Sequence, residues 1–316
     1  MSDYDYDTTT GADEEWENSR GETTNYTEIV YSLQAEGPFQ GQPAVFIRLA
    51  KCNMQCAGFG MKKGELTEEW KGIDASQYKS LKDIPLVKTG CDAFASWDKR
   101  FKHLWKQGNA CEIAEEANRI VKTHIGDDLL NHKVRVVFTG GEPLLQINQR
   151  LIIRTIQHFR NRFGFCHFDF ETNGTQRLMS YFYKECGHIA SREEGVTMNF
   201  IISPKTSASG ESFKKACVPD AIVDASYAGN NLFLKFTCSG AKSEIEEMHR
   251  FRDAYARALH EEHGEDYKVK LPIYLMPVGA TLTEYQANKK VIVELCMKNG
   301  MAFSGRNLAQ HMGEIK

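Results

Sequence analysis

The chain has no apolar run approaching the length of a membrane span, and its N-terminus lacks the basic-then-apolar order of a signal peptide. Both absences lead to the expectation of a cytoplasmic protein without membrane contact. An excess of charge of either sign is missing, the formal net charge being −3, so nothing in the balance calls for nucleic acid as a partner. Internal repeats and low-complexity linkers are missing beyond the first two dozen residues, which excludes repeat architectures and argues for one domain over residues 25–316. The nine cysteines are odd in number and irregularly spaced, which does not suit a secreted disulfide framework. Six of them (Cys111, Cys166, Cys186, Cys217, Cys238 and Cys296) are scattered and read as small buried hydrophobes of a reducing compartment.

What is present begins with a polar, acidic stretch, residues 1–24, where eight acidic residues face one arginine, Arg20. Too little apolar surface is available there to offset the entropy of ordering, so a disordered tail is expected. Next, Val45–Leu49 reads as a buried strand that runs into a loop carrying Cys52 and Cys56. Ala57–Gly90, rich in Lys, Glu, Gly and Asp with Trp70 and Tyr78 as apolar anchors, reads as an insertion that leaves this loop and returns to it at Cys91.

Beyond the cysteines, strands and helices alternate. Strands are expected at Tyr26–Leu33, Ala44–Leu49, Val134–Phe138, Phe165–Phe170, Met198–Ile202, Asn231–Thr237 and Val269–Met276. Helices are expected at Cys111–Ile125 (with Ile113, Ala117, Ile120, Val121 and His124 on one face), Leu145–Phe163, Lys242–Glu262 and Leu282–Lys298. This order implies right-handed βαβ units and a parallel sheet. The short signals TGGEP, ETNGT, SPK and MPVG each fall just past a strand. In parallel α/β folds that edge is where loops converge on a ligand.

Two thiols at a strand exit, joined by a third, suit a soft metal or an iron–sulfur cluster. Zinc is the rival, but it ordinarily takes a fourth protein ligand, and the nearest histidine in sequence is His103. A cluster with one open iron explains three cysteines better. Gly140 and Gly141 let the backbone approach a ligand closely, although a plain tight turn has the same signature. Asn173-Gly174 is a common turn dipeptide, and a lone lysine such as Lys205 is usually solvated. Arg48 says more, because a charge inside an apolar strand needs a partner: Glu36 or an anionic ligand.

Taken together and in order, SLQAEG, GQPAVFIRLAKCNMQC, CDAFASWD, TGGEP, ETNGT and ISPK resemble the radical S-adenosylmethionine (SAM) enzymes, and within them the 7-carboxy-7-deazaguanine synthase family. The resemblance implies a partial parallel β/α barrel and a [4Fe-4S] cluster on Cys52, Cys56 and Cys91, with SAM on the fourth iron. It implies a carbon–nitrogen lyase of queuosine and 7-deazapurine biosynthesis. One-electron cleavage of SAM gives a 5′-deoxyadenosyl radical, and 6-carboxy-5,6,7,8-tetrahydropterin undergoes ring contraction with loss of ammonia. By matched position, Leu33, Gln34, Ala35, Arg48 and Thr139 would contact substrate, with Gln34, Glu36 and Arg48 carrying the catalytic roles. Gly90, Asp92, Gly140, Gly141, Glu142, Thr172, Asn173, Ser203, Pro204 and Lys205 would serve SAM. An electron donor such as flavodoxin or ferredoxin and a homodimer are implied as well.

The chain departs from the family pattern at three places. Phe59 stands where the third cysteine usually lies, and that thiol is displaced to Cys91. Ala93 replaces the threonine whose hydroxyl helps hold Mg²⁺, and a methyl group cannot ligate a hard cation; Asp92 and Ser96 are what is left for that ion. Ala35 replaces a glycine. Two alternatives stay open: a radical SAM enzyme of another substrate, such as an activase, and a metal- or cluster-binding scaffold without turnover.

Overall fold

The computed structural model describes residues 22–57, 67–85, 87, 90–91, 93–125, 134–192, 194–229, 231–279 and 282–305. Most of the acidic stretch, Phe59, Asp92 and the last eleven positions, 306–316, lie outside the described residues. The strands are β1 (Thr23–Leu33), β2 (Pro43–Leu49), β3 (Lys106–Asn109), β4 (Arg135–Gly140), β5 (His167–Thr172), β6 (Thr197–Ile202), β7 (Asn231–Cys238), β8 (Ile273–Pro277) and β9 (Ala302–Phe303). They form one sheet in the order β3-β1-β2-β4-β5-β6-β7-β8-β9. Pairing is parallel from β2 through β9 and antiparallel where β1 meets β2 and β3. The main helices are α1 (Ala110–His124), α2 (Gln146–His158), α3 (Ser180–Arg192), α4 (Pro219–Ala228), α5 (Lys242–His263) and α6 (Leu282–Asn299). None of the described helices is long and apolar enough to cross a membrane.

The sheet is open but strongly curled, an incomplete parallel β/α barrel as expected. The loop after β1 reaches the chain just beyond β9: Gly37 N donates to Ser304 Oγ at 2.8 Å, and Gly305 N to Gln40 Oε1 at 3.3 Å. The period of two along each strand sorts its residues between two environments. Val45, Ile47 and Leu49 of β2, Val136 and Phe138 of β4, and Phe168 and Phe170 of β5 join the main core. The alternate residues form a polar concave face. Arg135 donates to both oxygens of Asp169 from Nε at 2.5 Å and NH2 at 2.6 Å, and Asn199 Nδ2 adds a third bond at 2.8 Å.

Several boundaries differ from the sequence reading. β1 begins at Thr23, because Thr23–Tyr26 pair with β3, a strand of four polar or glycine residues that carries no hydrophobic signal. β8 begins at Ile273 and not at Val269, since Pro272 has no N–H for a ladder and its carbonyl instead accepts from Leu234 N. On α1 the buried positions are Ala110, Ile113, Ala114, Ala117, Asn118 and Val121, while His124 is exposed and its ring meets that of Tyr31 at a tilt, centroids 5.2 Å apart. Helices α3 and α4 and strand β9 were not anticipated.

A second, smaller core lies in the insertion and the segment after it. Trp70, Ile73, Ala75, Ile84, Val87, Phe94 and Phe101 pack together, with Trp97 and Tyr78 at the edge. The Trp70 indole donates to Asp98 at 3.0 Å, and Arg100 holds the same carboxylate while donating to the Ile73 carbonyl.

Candidate active site

The four motif loops follow the C-terminal ends of β4, β5, β6 and β8, and the cysteine loop follows β2. All five lie on one edge. The cysteine loop is fastened to its neighbours by backbone bonds. Gly141 N donates to Leu49 O at 3.2 Å, Glu142 N to Lys51 O at 2.9 Å, and Lys51 N to Ser96 O at 2.6 Å. This fastening explains the paired glycines. A Cβ on Gly140 would collide with the Leu49 carbonyl, and one on Gly141 with the Lys51 carbonyl, 3.0 Å from Cys52 Cβ. Lys51 takes a positive φ of 77°, an αL position that turns the chain from strand into loop.

Side chains complete the fastening. Asn173 Nδ2 donates to Asn53 Oδ1 at 2.9 Å, Asn53 Nδ2 to Thr175 Oγ1 at 2.8 Å, and Gln55 N to Glu211 Oε1 at 3.3 Å. Glu142 lies buried at the junction. It accepts from Thr172 Oγ1 at 2.8 Å, Leu144 N at 3.0 Å and Asn173 N at 2.7 Å. Burial pushes its carboxyl above the usual range, against the pull of these donors and of the Lys205 charge. The ETNGT and SPK loops are joined by Ser203 N to Thr172 O at 2.7 Å.

Burial likewise pushes the Cys52 thiol up to about 12. The Glu142 charge adds to the effect, the N–H of Met54 opposes it, and Cys91 and Cys56 each add a smaller contribution. Cys52 therefore senses both other sulfurs. The insertion closes on itself: Gly90, at φ 116°, sits against the Ala57 carbonyl, so Cys91 emerges beside the point where the chain left. The three sulfurs do not gather within the 4.8 Å spacing that a single ion asks for. Cys52, Cys56 and Cys91 are each half-buried.

The concave face beneath holds the residues read as substrate contacts. Gln34 Nε2 and Thr139 Oγ1 donate to the two oxygens of Glu171, at 3.1 and 2.8 Å. Glu36 accepts from Lys235 Nζ at 2.7 Å, and its own N–H donates to Gln34 Oε1 at 3.2 Å. Arg48 Nε donates to Glu28 Oε1 at 2.9 Å, a partner on β1 that the sequence reading did not name. Leu33 is exposed, and Ala35 is half-buried beside Gln34. Glu171 and Lys235 were also missed. The signal for both was the alternation itself, since each falls on the inward phase of a strand whose other phase is apolar.

No protein-family model matches the chain. Five curated proteins do, and all carry the name 7-carboxy-7-deazaguanine synthase. The one from Rhodospirillum rubrum is 57% identical over 37 residues, 12% of this chain and 16% of that protein. The one from Nitratidesulfovibrio vulgaris is 31% identical over 156 residues, 49% of this chain and 58% of that protein. The one from Halobacterium salinarum is 22% identical over 280 residues, 88% of this chain and 86% of that protein. The matched stretch thus spans less than two thirds of the first two relatives. A crystal structure of QueE from Escherichia coli aligns with a TM-score of 0.48 at 19% identity, over 90% of this chain and 93% of that one. The resemblance to the 7-carboxy-7-deazaguanine synthase family, read first from the motifs, is borne out by these relatives.

Proposed function

We propose that the protein is a radical SAM enzyme that converts 6-carboxy-5,6,7,8-tetrahydropterin to 7-carboxy-7-deazaguanine with loss of ammonia. The observation that carries this reading is the closure of the Cys52–Cys56 loop onto the GGE and ETNG turns, above a polar concave face and with Cys91 brought alongside. Cys52, Cys56 and Cys91 would hold a [4Fe-4S] cluster, and SAM would lie along Gly140–Glu142, Thr172, Asn173 and Ser203–Lys205. The bound pair supplies a carbon-centred radical; the chain's own work is to orient the substrate and keep water away from it.

Arg48 suits the substrate carboxylate because a guanidinium binds it through two parallel bonds. Glu171, held by Gln34 and Thr139, presents acceptors to the N–H edge of the heterocycle. Lys235 and Glu36 close the far side as a neutralised pair. Mg²⁺ is left out of this assignment, since the Ala93 side chain offers no oxygen to a hard cation.

Anaerobic reconstitution with iron and sulfide tests the reading. Cluster absorbance that depends on all three cysteines, with SAM cleaved to 5′-deoxyadenosine on reduction, supports it. Zinc held at the three thiols without SAM cleavage would leave only a scaffold.

A further inference from the structure

One group of chemistry-bearing residues lies apart from the strand-end loops. Among the described residues, only Cys111, Glu115 and His158 bring three ligand atoms within 4.8 Å of one another. Cys111 and Glu115 sit one turn apart on α1 and so share a face. His158 closes α2, immediately before the π-helical turn Phe159–Phe163, a geometry that recurs at functional sites. Cys111 Sγ lies 3.7 Å from His158 Nδ1 and 3.9 Å from Nε2, and Nε2 lies 3.2 Å from Glu115 Oε1.

We propose that Cys111, Glu115 and His158 form a Zn²⁺ site between α1 and α2 of the open type, three protein ligands with water in the fourth position. Zinc bonded to sulfur at about 2.3 Å and to nitrogen and oxygen at about 2.0–2.1 Å sets its ligand atoms about 3.5 Å apart at tetrahedral angles. His158 offers one ring nitrogen to a metal, and from Nε2 the partner atoms lie at 3.9 Å (Cys111 Sγ) and 3.2 Å (Glu115 Oε1), on either side of that value. The donor set of thiolate, imidazole and carboxylate is intermediate in softness, which favours zinc over Mg²⁺ or Ca²⁺. Thiolate, carboxylate and neutral imidazole also balance a dication without leaving a buried charge.

Position helps each ligand. Cys111 lies in the first turn of a fifteen-residue helix capped by Asn109, where the helix dipole favours thiolate. The His158 side chain is only 4% exposed, and the Phe163 ring packs edge-on against it at 5.3 Å, which fixes its orientation. Arg162 Nε also reaches Glu115 Oε1, at 3.2 Å, but that guanidinium is 68% exposed and the carboxylate has a second oxygen for the metal. A hydrogen-bonded network without metal is the competing account, and it predicts no zinc.

The test uses the full chain, anaerobically reconstituted with iron and sulfide and then equilibrated against buffered zinc. One retained zinc per chain, lost in both C111S and H158Q while iron content holds, supports the site. Absent zinc, or the same zinc content in wild type and both variants, overturns it. Cobalt titration of the C52S/C56S/C91S chain separates this site from the cluster cysteines and stays decisive should C111S or H158Q fail to fold. A thiolate-to-cobalt charge-transfer band there supports the site, and its absence overturns it. Neither arm requires SAM or pterin turnover.

Discussion

Arg48 on β2 donates to Glu28 on β1 at 2.9 Å, directly across the antiparallel ladder, with both side chains about 30% exposed. A pair so open to solvent contributes little to stability, about 0–1 kcal/mol. In the proposed function its value lies in orienting the guanidinium for the substrate carboxylate. R48A should therefore shift the thermal midpoint by no more than a few degrees. It should cut kcat/KM for the carboxypterin by about 100-fold or more, which is about 2.7 kcal/mol of lost recognition. Steady-state kinetics beside a melting curve checks both, and equal loss in each would make Arg48 a structural residue.

The insertion is expected to act as a lever that sets Cys91. C91A should abolish iron binding, whereas C217A, at a site remote from the cysteine loop in sequence, should leave it intact. Iron and sulfide analysis after reconstitution reads this directly. Iron retained in C91A would remove it from the ligand set.

Asp98 anchors the small core behind Cys91. Burial raises its pKa, but the bonds from the Arg100 side chain and N–H, the Trp70 indole and the Arg100 charge outweigh burial, so the folded value is lowered from 3.8. The folded state thus binds this proton less tightly than the unfolded chain does. The stabilisation is complete above the ordinary carboxylate value and is lost as pH falls through the lowered folded one. D98N should cost about 1 kcal/mol near neutrality, given the partly exposed guanidinium. Denaturant midpoints of mutant and wild type should converge below about pH 4. A gap that stays constant on acidification would contradict this assignment.

Gly141 leaves no room for a methyl group between β4 and the Lys51 carbonyl. G141A should displace the loop that carries Cys52, costing about 1–3 kcal/mol and most of the cluster. Circular dichroism should still report a folded chain. Full cluster occupancy in G141A would show that the glycine is not needed for close approach.

The architecture was legible because the strands that matter are apolar on one phase and end in Gly, Pro or Asn signals. β4 into TGGEP and β5 into ETNGT are the clearest cases. The GGE turn was read as a place of close backbone approach, and the Leu49 and Lys51 carbonyls are what approaches. Helix α3 was missed because Gly187 interrupts it, yet that glycine is there to let the Tyr227 carbonyl of α4 pack close. β3 was missed because Lys106–Asn109 carry no apolar alternation; pairing with β1 alone makes them a strand. The partner of Arg48 was invisible because cross-strand register, not spacing along the chain, chose Glu28. Asp92 and Phe59, which bear on two departures from the family pattern, lie outside the described residues.

The most direct test incubates the reconstituted protein with 6-carboxy-5,6,7,8-tetrahydropterin, SAM and a strong reductant under anaerobic conditions, and follows the products by mass. The account predicts 7-carboxy-7-deazaguanine together with released ammonia and 5′-deoxyadenosine. Formation of 5′-deoxyadenosine with the pterin left unchanged would contradict it and assign the radical chemistry to another substrate.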